Sequence, residues 1–368
     1  MAFDPDDRDT DIKRFLEAAG WGGAERCALN PDASTRRYER LTHPDGATAM
    51  LMDAPGRGED PPCPPGASED ERRLLGWNAM SRLAASRVDA FVPIAAYLER
   101  RGYSPPRVLA SDLDRGLAVL EDFGDRLFAD LLARGEADEV ELYSAAGELL
   151  ADVHAEPSPA AVEGGGASWP LLDYDAMAFK VNVALFGEWM PRFEPGMRRD
   201  DALIARYEVA ADALIEALLD APKAFTLRDY HAENLLWLPE RAGHARIGLL
   251  DFQDAVRGPR VWDISMLLHD ARRDVSPAAR AAMIRAYLEA AGGSEAELQA
   301  ELAVAGAVNT LRILGLFVRL VARDKKDRYR TFIPREWGHL AETLSHPAAA
   351  EMAAVVDDML PDWRRLAA

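Results

Sequence analysis

Three oxygen-bearing side chains, Asp229, Asn234 and Asp251, flank two short apolar runs in LRDYHAENLLWLPERAGHARIGLLDFQDA, residues 227–255. Asp229 and Asn234 stand at the entrance of NLLWL, Asp251 at the exit of IGLLDF, and PERAGHA separates the runs. If the runs pair as an antiparallel hairpin turning at PERAGHA, Trp237 and Leu238 lie near Ile247, and Asn234 lies near Asp251. Paired strands sit roughly 5 Å apart, so the Asn amide oxygen and the Asp carboxylate can converge on one hard cation. Oxygen ligands with room for water and phosphate are what magnesium takes. Asp229 lies on the loop feeding the first strand and could reach a hydroxyl placed between itself and a metal-bound phosphate. Taken singly, each residue has a plain reading as a turn residue, a strand end or a helix cap. Their order, spacing and apolar context together favour chemistry.

Elements must hold these groups, and the bulk numbers bound which. The chain has 368 residues, 49% of them hydrophobic and 29% charged, an ordinary globular mix long enough for two or three folding units and a substantial core. A net charge of −19 argues against a nucleic-acid or anionic-membrane binder, which would need a basic face. It leaves room for a small anionic ligand in a local basic pocket. Cys27 and Cys63 are too few and too oddly placed for a disulfide framework or a zinc site, and two free thiols suit a reducing cytoplasm. The N-terminus, MAFDPDDRDT, has no apolar signal region. The most apolar stretch, AVAGAVNTLRILGLFVRLVA, carries Arg312 and Arg319 and reads as a buried core helix.

Along the chain, residues 10–19 read as a helix capped by Thr10, with Ile12, Phe15, Leu16 and Ala19 on one face and Gly20 at its end. Two strands flank Pro44-Asp45-Gly46, a turn signal. Residues 54–68 are Pro- and Gly-rich loop. Ser68-Glu69-Asp70-Glu71 is a capping-box pattern that opens a helix to about residue 85. RVLASDLDRGLAVLEDFG gives two more strands. From about residue 123 helical spacing dominates, as at Val140, Tyr143, Ala146, Leu150 and Val153 or Leu203, Tyr207, Ala210, Leu214 and Leu218. PSPAAVEGGGASWP, residues 157–170, reads as a flexible insertion. The expected class is α+β with two lobes: a small strand-rich N-terminal lobe over 1–122 and a larger helical lobe over 123–368, with a ligand cleft between them.

The D-x-x-x-x-N spacing followed by a strand pair ending in Asp resembles the protein-kinase-like catalytic core, and most closely its aminoglycoside phosphotransferase branch. The similarity continues through LLDFQDAVRGPRVWDISMLL. The resemblance implies a small antiparallel-sheet lobe on a mostly helical one, with ATP and Mg2+ as cofactors. Asp229 would orient the acceptor hydroxyl and accept its proton, and Asn234 and Asp251 would hold magnesium on the nucleotide phosphates. Asp263 would brace the catalytic loop, a role close to its plain reading as a helix N-cap. GLAVLEDFGDRLF, residues 116–128, fits the interlobe hinge, with adenine bonding backbone near Glu121 and Phe123; its plain reading is a strand and an Asp125-capped helix.

The chain departs from that pattern three times. Leu227 stands where the family usually has His. No Lys occurs near Met52 in ATAMLMDA to pair with the phosphates, and NPDASTRRYERL replaces a glycine-rich loop. Arg36 and Arg37 are the nearest cations. Adjacent strand residues face opposite ways, so one of them is expected in the cleft; otherwise both are solvated.

DASTRRYERL, AMLMDAP, LEDFGD, RDYHAENLLWL, GLLDFQDA and LLHDARRDV together resemble the bacterial anomeric sugar kinases of cell-wall recycling, over about residues 30–275. This implies a small-molecule sugar partner, ATP-dependent phosphorylation of the C1 hydroxyl of N-acetylmuramate and N-acetylglucosamine, and a cytoplasmic monomer binding neither nucleic acid nor membrane. Arg228, or Arg272 with Arg273, could meet the muramate lactyl carboxylate or form internal ion pairs. Trp169, Trp189 and Tyr174 could stack on sugar or be core. His231 and His154 read as packing residues, and Gln253 and Asp254 as site supports or turn residues. Two alternatives stand beside this: another acceptor (an aminoglycoside, choline or homoserine), or a non-catalytic scaffold that keeps the fold.

Overall fold

The computed structural model describes residues 5–29, 35–55 and 59–367. Residues 30–34 of the NPDASTRRYERL turn and 56–58 of the Pro/Gly loop lie outside them. The first helix, α1 (Pro5–Ala18), starts earlier than Thr10, because Pro is tolerated in a first helical turn and nothing in DDRDT interrupts it. Thr10 is therefore interior and not a cap. Ile12, Phe15 and Leu16 bury against Leu41, Ala49, Leu51, Leu117 and Val119.

Those five residues come from an antiparallel sheet of β1 (Glu25–Ala28), β2 (Arg37–Thr42), β3 (Thr48–Asp53), β4 (Val108–Asp112) and β5 (Leu117–Glu121), in the order β1-β2-β3-β5-β4. β1 is an edge strand with one half-buried residue, so it carries no alternation to read. The β2–β3 turn falls at Pro44-Asp45-Gly46, with Gly46 at φ 90°. In β3, Ala49 and Leu51 face α1, while Met50 and Met52 face the other side, toward the helical part.

The capping box forms as expected: Ser68 Oγ accepts from the Glu71 N–H, and the Ser68 N–H donates to Glu71 Oε2 (2.8 Å). The helix does not reach residue 85. It ends as α2 (Glu69–Leu75) at Gly76, φ 101°, whose missing Cβ makes room for the Asp60 carboxylate, and restarts as α3 (Trp77–Ser81). Helix α4 (Val88–Arg100) was not readable as a helix. Val88, Phe91, Val92, Ile94, Ala95 and Leu98 are buried while Asp89, Glu99 and Arg100 stay outside the core, but Pro93 in the interior speaks locally against a helix.

The remainder is mostly helical: α5 (Phe128–Arg134), α6 (Glu139–His154), α7 (Ala176–Trp189) and α8 (Asp201–Asp220) precede the expected hairpin. Residues 157–170 are not a flexible insertion. They form a hairpin, β6 (Ala161–Gly164) and β7 (Ala167–Pro170), that lies so close on α4 that a Cβ at Gly164 or Gly165 would strike Ala96 or Val92. Next come β8 (Lys223–Thr226), β9 (Leu235–Trp237), β10 (Ile247–Leu249) and β11 (Val256–Pro259), then α9 (Val261–Leu268), α10 (Pro277–Ala291), α11 (Glu295–Ala322), α12 (Ile333–Thr343) and α13 (Ala350–Met359). Helix α11 is long and apolar enough to cross a membrane, but it is mostly buried among the other helices. One apolar cluster runs from Met52 and Leu120 on the sheet through α4 to α11. Helix α4 ties the parts together: Phe91 stacks on Phe252 (4.8 Å) and Tyr97 packs on Phe225 (5.1 Å).

Candidate active site

The hairpin register is Trp237 opposite Ile247, Leu236 opposite Gly248 and Leu235 opposite Leu249. The next backbone bond, Leu250 N–H to the Asn234 carbonyl (2.9 Å), brings Asn234 and Asp251 together at the open end. Asp251 holds a left-handed φ of 56° and Arg228 one of 75°, conformations that cost non-glycine residues energy and gather at functional sites.

Buried carboxylates grip the loop between β8 and β9 at both ends. Asp263, fully buried, accepts from the N–H groups of Leu227 (2.7 Å) and Arg228 (2.8 Å). It is the third residue of α9 and does not cap that helix. His154 packs behind it, Nε2 at 3.6 Å. Asp270 accepts from the Ala232 N–H (3.3 Å). Asp254 accepts from the N–H groups of Ala84 (2.5 Å) and Ala85 (3.1 Å), tying the segment after Asp251 to the chain after α3.

Asn234 Nδ2 donates to the Asp229 carbonyl (2.9 Å) and meets His231 Nε2 at 3.2 Å. Burial, then the Arg272 charge, hold His231 well below its ordinary value, so the neutral ring can accept that bond. The amide is thereby oriented with Oδ1 left for another partner. Burial pushes the Asp229 carboxyl up to about 6, the charges of Asp251 and Asp254 add to this, and Arg312 and Arg228 oppose it. At Asp251 burial also pushes upward, but the Arg36 charge and hydrogen bond outweigh it and leave the carboxylate below its usual range.

Arg36 is thus the inward-facing member of the arginine pair. It is buried, hydrogen-bonds Asp251 Oδ1 and donates to Gln253 Oε1 (2.6 Å). Arg37, exposed, opens β2 at the rim. A cleft of about 810 Å³ between the sheet and the hairpin is lined by both arginines, Met50, Leu120, Asn234 and Asp251, among others. Asp229 is not part of that lining. Asn234 Oδ1 and the Asp251 carboxylate fit a magnesium ion. No cluster of three His, Cys, Asp or Glu stands among the described residues, so most of such an ion's shell would be phosphate and water.

At the hinge, Glu121 is already committed: its carboxylate pairs with Arg107 (3.1 Å) and Arg241 (2.7 Å), and its N–H donates to the Arg107 carbonyl (2.9 Å). Gly124 N–H goes to Asp122 Oδ1 (2.9 Å). The Phe123 ring lies under Arg241 (5.0 Å) and against Gly248, where a Cβ would stand 3.0 Å from it. Asp125 pairs with Arg40 (2.6 Å) and does not cap α5, whose N-cap is Leu127.

Several expected acceptor contacts are placed elsewhere. Arg228 is buried, stacks on Tyr174 (4.4 Å) and donates to the Arg82 carbonyl (2.7 Å), because its positive φ turns it inward. Arg272 pairs with Glu233 (2.6 Å) and Arg273 with Glu139 (2.6 Å). Tyr174 is core, packed on Phe179 and Trp262. Trp169 is half-buried in β7, and Trp189 lies under Arg192 (4.8 Å). Sequence reasoning missed Asp270 and Arg312; the polar Asn309 and Arg312 inside an apolar helix were the available signal for the latter.

Residues 26–300 match the phosphotransferase enzyme family, APH. The chain is 50% identical to the N-acetylmuramate/N-acetylglucosamine kinase of Caulobacter vibrioides, covering 94% of this chain and 95% of that one. It is 29% identical to the Pseudomonas aeruginosa protein of the same name, covering 95% and 93%. Similar solved structures include a choline/ethanolamine kinase family protein from Mesorhizobium loti (TM-score 0.54, 16% identity, 95% and 99% covered). Another is the ADP-bound aminoglycoside phosphotransferase APH(2'')-Ib (TM-score 0.52, 13% identity, 91% and 99% covered). At these identities the structural likeness establishes the fold, which is that of the protein-kinase-like phosphotransferases.

Proposed function

Because the chain belongs to the phosphotransferase enzyme family, we propose that it transfers the γ-phosphoryl group of ATP to the anomeric C1 hydroxyl of N-acetylmuramate and N-acetylglucosamine, in the salvage of cell-wall sugars. The observation that carries this reading is the 50% identity to the Caulobacter kinase over 94% of the chain. The loop geometry supports the same reading.

Residues 1–122 provide the nucleotide side and 123–368 the acceptor side. Adenine packs on Leu120 and takes the Phe123 backbone. Asn234 Oδ1 and Asp251 would hold Mg2+, which when bound would neutralise phosphate charge. Arg36 supplies the cation that the methionines on β3 do not, and its guanidinium fork suits phosphate oxygens. Asp263 and Asp270 fix the loop so that Asp229 meets the sugar. As the C1 oxygen bonds to the γ-phosphorus, Asp229 takes its proton, and the bond from phosphorus to the β–γ bridging oxygen breaks, releasing ADP. An anomeric hydroxyl is more acidic than an ordinary alcohol, so a carboxylate near 6 is a sufficient base. Such assistance is worth ~10²–10⁴-fold. A monomer in the cytoplasm, where ATP is supplied, fits this chemistry.

Phosphorus NMR of the protein with ATP, magnesium and each sugar tests it. A phosphomonoester signal coupled to the C1 proton is the expected product. Unchanged ATP with both sugars would sink the proposal.

A further inference from the structure

Arg312 stands on α11, packed on the α9 helix that braces the catalytic loop, and no carboxylate among the described residues pairs with it. Its Nε and one terminal nitrogen donate to Asn309 Oδ1 (3.1 and 3.0 Å), one turn earlier. That terminal nitrogen lies 3.8 Å from the Met266 sulfur, and the guanidinium carbon stands 5.7 Å from the centre of the Trp262 ring. Trp262 and Met266 are on α9, the helix whose Asp263 grips Leu227 and Arg228. The guanidinium is close enough for its charge to act on both Asp229 and His231.

The other arginines around the loop are occupied. Arg36 pairs with Asp251, Arg272 with Glu233 and Arg273 with Glu139, while Arg228 is buried against Tyr174 and the Arg82 carbonyl. Arg312 is half-buried, and no Asp or Glu among the described residues pairs with it. A guanidinium has five N–H donors, and a neutral amide and a thioether use only some of them. An arginine fixed by an amide and stacked on an indole presents its remaining fork in a set direction. Its geometry matches a carboxylate.

Resting on the acceptor reading above, we infer that Arg312 recognises the lactyl carboxylate of N-acetylmuramate and so sets the preference between acidic and neutral amino sugars. N-acetylglucosamine lacks that carboxylate and leaves the guanidinium hydrated. Sequence adjacency to Asp229 pointed to Arg228; the fold instead brings a residue 83 positions further along the chain (312 − 229) to the same loop.

The test is kcat/KM on both sugars for the wild type, Arg312→Ala and Arg312→Lys, together with wild-type rates on N-acetylmuramate whose lactyl group is converted to the neutral amide. A charge-assisted contact predicts that Arg312→Ala lowers the muramate-to-glucosamine ratio ~30-fold, chiefly through KM. Lysine recovers part of it. The N-acetylglucosamine rate falls much less, through the loss of positive charge near Asp229. Wild type disfavours the amide by a similar factor. An equal loss on both sugars overturns the inference. So do equal wild-type rates on acid and amide, a comparison that needs no folded variant. Wild type inert on both sugars would overturn the acceptor reading itself, a distinct result.

Discussion

In its proposed role Asp229 must be enclosed enough to hold a proton near neutrality and open enough to meet a sugar. Its carboxyl is raised from 3.8 to about 6, so ionising it costs folding free energy. The folded state binds the extra proton between those values, and stability is lost as pH rises through that window. Asp229→Asn should therefore be more stable than wild type by ~1–3 kcal/mol at pH 8 without metal, a gain that vanishes below about pH 4. Urea unfolding in EDTA measures it, and a gain independent of pH would contradict the assigned cause. The same variant should lose ~10²–10⁴-fold in turnover; near-wild-type turnover would remove Asp229 from the role. Arg36→Ala should raise the KM for ATP. It should also cost ~1–3 kcal/mol without metal, less than a fully buried pair because the Asp251 side chain is 35% exposed. Unchanged ATP kinetics would exclude Arg36 as the phosphate cation. The Asp229, Asn234 and Asp251 trio was legible because apolar runs on both sides of a turn admit one pairing. Arg228 was not, since nothing in a sequence states that a residue will take φ 75° and point into the core.

Among the elements, the hairpin, the β2–β3 turn and the capping box were readable, while β1, α4 and residues 157–170 were not. β1 has no buried period, α4 carries Pro93 in its interior, and the Gly-rich 157–170 segment looks like loose chain until α4 is there for it to lie on. Each of these signals depends on tertiary context rather than on local spacing. Gly248 is a case with consequences for function. It lets β10 approach the hinge so closely that a Cβ would meet the Phe123 ring at 3.0 Å and Leu236 at 3.2 Å. Gly248→Val should push Phe123 aside and raise the KM for ATP at least several-fold, while leaving the acceptor KM nearly unchanged. Steady-state kinetics varying each substrate in turn checks this, and an equal change in both constants would point to general misfolding.

Across the whole molecule, the sequence suggested two lobes, but not that their cores would be joined through α4. A continuous apolar cluster predicts one calorimetric unfolding transition. Magnesium with a non-hydrolysable ATP analogue at about a hundred times its dissociation constant should raise it by about 3–6 °C. Two transitions, with only the first responding, would show that the lobes melt independently. The net charge of −19 also bears on the cleft, since such a field gathers cations nonspecifically. Against that background Arg36 acts on Asp251 as a tethered counterion. A stray divalent ion arriving alone must evict it and leave a guanidinium stranded. Magnesium already bound to a nucleotide brings phosphates that can take the arginine as the metal takes the aspartate. One ion pair would be exchanged for two, so the proposed site would discriminate against bare metal without a dedicated gate.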